Sequence, residues 1–141
     1  MQARIGNPAL DVPGAMQALV ALSSAAARTG VSATTLELAH LRASQINGCS
    51  VCVAIHARDL EKAGESTDKI IAVGAWRDMP YFSAAERAAL ALAEEVTRLA
   101  DRSDAVPDSV WDEAQLAGLV LSIASVNLWN RVNIATRQQV A

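Results

Sequence analysis

Two cysteines and one of the two histidines lie within eight residues, Cys49-Ser50-Val51-Cys52-Val53-Ala54-Ile55-His56. Asn47-Gly48 before them is a turn dipeptide, and the residues from Cys49 to Lys62 are mostly good helix formers, closed by Gly64 as a C′ residue. The cysteines therefore open a helix. At about 100° per residue, Cys49, Cys52 and His56 fall within an arc of roughly 60° and share one face. Thiols in a first helical turn sit among unpaired backbone N–H groups at the positive end of the helix dipole, which favours the thiolate. By position this is a redox dithiol.

A peroxide-reducing thiol needs a nucleophilic thiolate, a proton donor for the departing oxygen, and a second thiol to convert the sulfenic acid to a disulfide. Glu37 lies twelve residues before Cys49, on a helix that must run antiparallel to the cysteine helix if the two form a hairpin. Its carboxylate can then reach His56, orient the imidazole and raise its basicity. The pattern Glu-X11-Cys-X2-Cys-X3-His narrows the readings more than a bare Cys-X-X-Cys does. Metal binding is the competing chemistry. A closed zinc site wants four ligands, and only His56 and Glu37 could complete the cysteine pair, a mixed set unusual for structural zinc. His40, three residues after Glu37, forms half of a di-iron carboxylate motif, but the chain has no second Glu-X-X-His. We expect no metal and no cofactor, and we leave His40 outside the site. Inert, purely structural thiols are the remaining alternative.

The elements that position these groups are helices. Asp11-Val12-Pro13 precedes a first helix through Met16, Leu19, Val20 and Leu22 to Gly30, and a second runs from Ser32 or Thr34 to Asn47-Gly48. After the cysteine helix, Ser66-Thr67-Asp68 caps a short fourth helix to Trp76, broken by Asp78-Met79-Pro80. Ser83-Ala84-Ala85-Glu86 is a capping box opening a fifth helix to about Ala100. Asp101 to Ser103 reads as a loop, and Pro107-Asp108 opens a last helical region through Trp111 and Leu128 toward Arg137. No alternating run supports a strand, so the fold class is all-α, one compact domain of about six helices. Trp76, Trp111 and Trp129 read as packing anchors, and Asn127, Asn130 and Arg131 as buried or interface hydrogen-bonders.

The chain is 141 residues long, 52% apolar and only 19% charged. So much apolar surface on a short chain calls for burial between subunits, above all along Leu116 to Leu128, which is apolar almost all round. A net charge of −3 without a Lys/Arg cluster gives no footprint for nucleic acid or an anionic membrane. Ala15 to Ala27 is apolar like a signal peptide, but Asp11, Pro13 and Gly14 interrupt its approach, and Leu116 to Val126 is too short to span a bilayer. Cysteines three apart staple nothing distant, which fits a reducing compartment, the cytoplasm.

At these residues the sequence resembles the alkylhydroperoxidase D-like branch of the carboxymuconolactone decarboxylase superfamily. The likeness covers Glu37-Leu38 through Leu41-Arg42-Ala43-Ser44-Gln45-Ile46-Asn47-Gly48-Cys49, Cys52-X3-His56 and Ala63-Gly64. It extends to Trp76, Glu86-Arg87-Ala88-Ala89-Leu90 and Asn127-Leu128-Trp129-Asn130-Arg131. The resemblance implies an all-α oligomer that reduces alkyl hydroperoxides. Cys52 is then the peroxidatic thiol, Cys49 the resolving thiol, and Glu37 with His56 the proton relay. It implies a thiol or dithiol reductant, of the lipoyl-protein type among others. Relatives with two copies of the helical unit form trimers, so a one-copy chain is expected to assemble as a hexamer. Val51 stands where the best-known peroxidase of the family carries a second histidine. Two other functions fit the same residues: a dithiol redox sensor or interaction protein, and a decarboxylase or lactone-processing enzyme, whose chemistry does not need the paired thiols.

Overall fold

The computed structural model describes residues 2–101 and 110–141. It is built from α1 (Pro8–Asp11), α2 (Ala15–Ala26), α3 (Ala33–Asn47), α4 (Ser50–Lys62), α5 (Thr67–Ala72), a 3-10 helix (Val73–Asp78), α6 (Ala84–Thr97), a 3-10 turn (Leu99–Asp101) and α7 (Glu113–Thr136). Among the described residues there is no strand, as the sequence predicts.

The helix starts follow from local chemistry. Ser32, Ser66 and Ser83 each accept the backbone N–H of the third residue of their helix, and Ser83 closes a full capping box with Glu86. A second capping box, Asp112 with Gln115, opens α7 and is a start the sequence reading overlooked. The expected opening at Pro107-Asp108 lies outside the described residues. The first long helix ends at Ala26 rather than Gly30, and the fourth loses its α-geometry at Val73, where a 3-10 segment with a non-helical Ala75 carries Trp76 inward. The fifth stops at Thr97, so Asp101 falls in a 3-10 turn and not in a loop. The short α1 was not expected. Asn7 caps it through the N–H of Ala9, with Pro8 in the first turn, where its missing N–H costs nothing.

α3 is the central helix, packed against α4, α6 and α7, and its opposite sides feed two apolar clusters. Leu38 and Leu41 meet Leu60, Val73, Trp76, Phe82 and Leu90 on one side. Leu36 and Ala39 meet Ala89, Leu92, Ala93, Leu119 and Ile123 on the other. Where α3 approaches α6 the facing residues are small: Ala39, Ala43, Ala89 and Ala93 are all fully buried, letting the two backbones come close. Gly118 on α7 leaves room for the Thr29 side chain, which a Cβ there would overlap.

Polar ties fix the register. Glu94 on α6, its side chain 8% exposed, accepts from Arg42 Nε (2.9 Å), Trp76 Nε1 (2.9 Å) and Arg77 Nη2 (2.7 Å). Trp76 is thus a packing anchor with a buried polar handle, as the fate of an indole N–H requires. At the far end of α3, Asn47 Nδ2 donates to Asn127 Oδ1 (2.9 Å) and Asn130 Oδ1 (2.8 Å), and Asn130 Nδ2 donates to Ser44 Oγ (3.0 Å). This clasp pins the residues just before the cysteines to α7. Asn127 and Asn130 are buried hydrogen-bonders, as expected.

One side of α7 packs inward through Leu119, Ile123 and Val126, while Val120, Leu121 and Leu128 stay exposed on the single chain. No helix among the described residues is long and apolar enough to cross a membrane.

Candidate active site

The hairpin of α3 and α4 turns on one residue, Gly48, whose φ of +71° lies in the left-handed region that glycine adopts without strain. Cys49 follows as the N-cap of α4, its Sγ accepting from the backbone N–H of Cys52 at 3.3 Å. Both sulfurs therefore sit at the helix's positive end, and they are joined as a disulfide with their Cα atoms 5.3 Å apart. Neither is open to bulk solvent: Cys49 is 2% and Cys52 3% exposed.

The antiparallel packing of α3 on α4 brings Glu37 to His56, as its position in the sequence requires. His56 Nδ1 donates to Glu37 Oε2 at 2.7 Å. His40, left out of the site by the sequence reading, belongs to the same cluster. Its Nδ1 lies 3.4 Å from Glu37 Oε1, its Nε2 shares a 2.6 Å hydrogen bond with Ser122 Oγ on α7, and its ring centroid is 5.1 Å from that of His56. The spacing of three residues from Glu37 was a usable signal, because residues i and i+3 face the same way on a helix. Burial pushes the Glu37 carboxyl up, but the adjoining His40 and His56 imidazoles outweigh it and hold the group at about 2. Glu37 is therefore an anion throughout the neutral range, and it fixes which nitrogen of His56 carries the hydrogen. Glu37, His40 and His56 each offer a metal-ligating atom, all within 4.8 Å of one another.

Glu37, His40, Cys52 and His56 line one cavity of about 650 Å³, the size of a small-molecule site. Leu36, Ala27, Ile55 and Val126 make much of it apolar, while Ser122, Ser125 and Asn133 contribute polar groups. Trp129, expected as a packing anchor, stands in this wall. Asn133 Nδ2 donates to Cys52 Sγ at 3.4 Å, a contact to which nothing in the sequence pointed. Cys49 lines a smaller hollow of about 310 Å³ with Gly48, Ser50 and Arg137, which adjoins the cavity and shares Val51 and Asn133 with it.

Three comparisons bear on this arrangement. The family model of the carboxymuconolactone decarboxylase family matches residues 13–95, which contain the whole hairpin. The chain is 35% identical over 136 residues to the uncharacterized protein YdfG of Bacillus subtilis (strain 168), covering 92% of this chain and 91% of that one. It also superposes on the crystal structure of ATU0492 from Agrobacterium tumefaciens, described as a protein of unknown function and proposed antioxidant defence protein AhpD. There the TM-score is 0.87 and the identity 30%, over 99% of each chain. Family model, near-full-length relative and matching helical fold agree, and the chain belongs to the carboxymuconolactone decarboxylase family, in its alkylhydroperoxidase D-like branch.

Proposed function

We propose that the protein is a thiol peroxidase that reduces organic hydroperoxides through the Cys49–Cys52 pair. The observation that carries this reading is the position of Cys52: it lines a largely apolar cavity of small-molecule size that also holds the Glu37–His56 pair. In the reduced protein the Cys52 thiolate attacks the hydroperoxide, the O–O bond breaks, and the alkoxide leaves as alcohol after taking a proton from His56. Cys52 becomes a sulfenic acid. Cys49 then displaces its hydroxyl as water, giving the disulfide, and an external dithiol reduces that disulfide by exchange at the cost of its own oxidation. The smaller hollow at Cys49, adjoining the peroxide cavity, supports access of the reductant to that sulfur. Glu37 holds the His56 tautomer and stabilises its protonated form, the part a third group plays for any nucleophile–base pair.

Steady-state consumption of an alkyl hydroperoxide with a dithiol reductant tests the reading. Wild-type protein should turn over, and Glu37→Gln, which keeps the size but removes the charge, should lower kcat/KM by roughly 10- to 100-fold. No turnover above the rate of free dithiol would leave the redox-sensor function in its place.

We also propose that the chain acts as a homo-oligomer, a hexamer on the expectation drawn from the resemblance. The exposed Val120, Leu121 and Leu128 on α7, with Val20 and Leu22 on α2, support it. Light scattering on a sizing column should give six chains, and a stable, fully active monomer at micromolar concentration would rule it out.

A further inference from the structure

We propose that Glu37, His40 and His56 form a binding site for a divalent transition-metal ion of the zinc class, held by one carboxylate and two imidazoles with a coordination position open to the cavity. The donor atoms fit such an ion. Donors that share a tetrahedral zinc at 2.0–2.2 Å are about 3.4 Å apart, and His40 Nδ1 lies 3.4 Å from Glu37 Oε1. His56 Nδ1 lies 2.7 Å from the other carboxylate oxygen and has to move out by about 0.7 Å to reach that separation, and the three donor atoms lie within 4.8 Å of one another. Two histidines and a carboxylate are a donor set that zinc and other borderline divalent ions take, and three protein ligands with one free position is the pattern of zinc sites that exchange water.

His40 supplies the second observation. Its Nε2 is engaged with Ser122 Oγ, whereas its Nδ1 is buried and has no hydrogen-bond partner. Metal binding selects the tautomer with the hydrogen on Nε2, donated to Ser122; without an ion that tautomer turns the Nδ1 lone pair toward a Glu37 oxygen 3.4 Å away, where the two repel, whereas the other tautomer turns Nδ1–H toward it. A cation between them turns that repulsion into coordination. Ser122 then becomes the outer hydrogen-bond partner that fixes the ligand tautomer, as carbonyls, carboxylates and hydroxyls do around metal-bound histidines. The hydrogen that His56 Nδ1 now shares with Glu37 moves to Nε2, so two neutral imidazoles and one carboxylate anion meet the dication and no group changes oxidation state. On the peroxidase reading, a bound ion takes Glu37 and His56 away from Cys52 and so inhibits turnover. The site itself does not depend on that reading.

Calorimetric titration of zinc chloride into the disulfide form tests the site, because the oxidised sulfurs are not ligands there. We expect one ion per chain at micromolar affinity, weakened by about tenfold in Ser122→Ala and by about 100-fold or more in His40→Ala. Melting curves of the metal-free variants check that each is folded, and His40→Gln is the replacement should His40→Ala not be. Cobalt(II) should give the intense visible bands of a low-coordinate site in the wild type and lose them in the His40 variant. No saturable binding below millimolar zinc, or equal affinity in wild type and His40 variant, overturns the proposal. Since the titration involves no peroxide, that failure leaves the peroxidase reading untouched, just as absent turnover leaves the metal site untouched.

Discussion

Replacing Cys52 by serine should reduce peroxide turnover by roughly three orders of magnitude or more, because the attacking species is a thiolate and a serine hydroxyl is not ionised near neutral pH. The fold should survive, since the two side chains are nearly isosteric and Cys49, not Cys52, caps α4. The reciprocal variant separates the two thiols. With Cys49→Ser the first step still occurs but the disulfide cannot close, so one equivalent of peroxide should leave a mass gain of one oxygen on the peptide carrying Cys52. The surroundings give Cys52 the advantage: it lines the cavity with His56, and the Asn133 amide lies 3.4 Å from its sulfur, a donor toward negative charge. Were the sulfenic acid to form on Cys49 in Cys52→Ser, at the rate of the native protein, the two roles would be exchanged.

Stability should depend on acid through Glu94 to an extent that one substitution exposes. Burial pushes this carboxyl up, but the hydrogen bonds from Arg77, Trp76 and Arg42 outweigh it and hold the group at about 2, against an ordinary value of 4.5. A group depressed in the folded state binds its proton first in the unfolded chain. Its contribution is therefore complete above about pH 4.5 and is lost as pH falls toward 2. The difference corresponds to roughly 3 kcal/mol at neutral pH. Glu94→Gln keeps the shape but leaves Arg42 without its counter-charge, so urea unfolding at pH 7 should show a loss of about 3 kcal/mol. The gap between wild type and variant should narrow steadily between pH 4.5 and 2.5. Glu37 shifts in the same direction, but it is common to both proteins and cancels in the comparison. An equal gap at pH 7 and pH 3 would show that Glu94 acts through packing alone.

Much of the fold could be read from local chemistry. The Asn47-Gly48 stop, the Ser83 capping box and the Gly64 terminus are patterns within a few residues, and each marks a helix end in the structure. The same holds for the meeting of Glu37 and His56, which needs only that two helices joined by one glycine lie antiparallel. What lay beyond the sequence depends on distant neighbours. The unwinding at Val73 goes with turning Trp76 inward, where it reaches Glu94 eighteen residues along. His40 gains its place only when α7 brings Ser122 against it, and Asn133 comes to Cys52 from 81 residues away, with no motif linking the two. Helical phase predicts which residues share a face, whereas the identity of what covers that face is a property of the assembled core.

The cavity wall described above divides its labour in a way that bears on how such a protein changes over time. Its reactive groups come from the hairpin, held by the Asn47 clasp and by Gly48. Ser23 and Ser24 on α2 and Ala27 just past its end, together with Gln138 and Gln139 beyond α7, supply wall without taking part in the Glu37–His56 pair. Part of the shape is thus encoded outside the hairpin, although Leu36 and Ile55 of the hairpin also form wall. Substitutions that enlarge, narrow or polarise the chamber can accumulate at its rim while the reacting atoms keep their spacing, so one inherited reaction centre can be fitted to new molecules without first being dismantled.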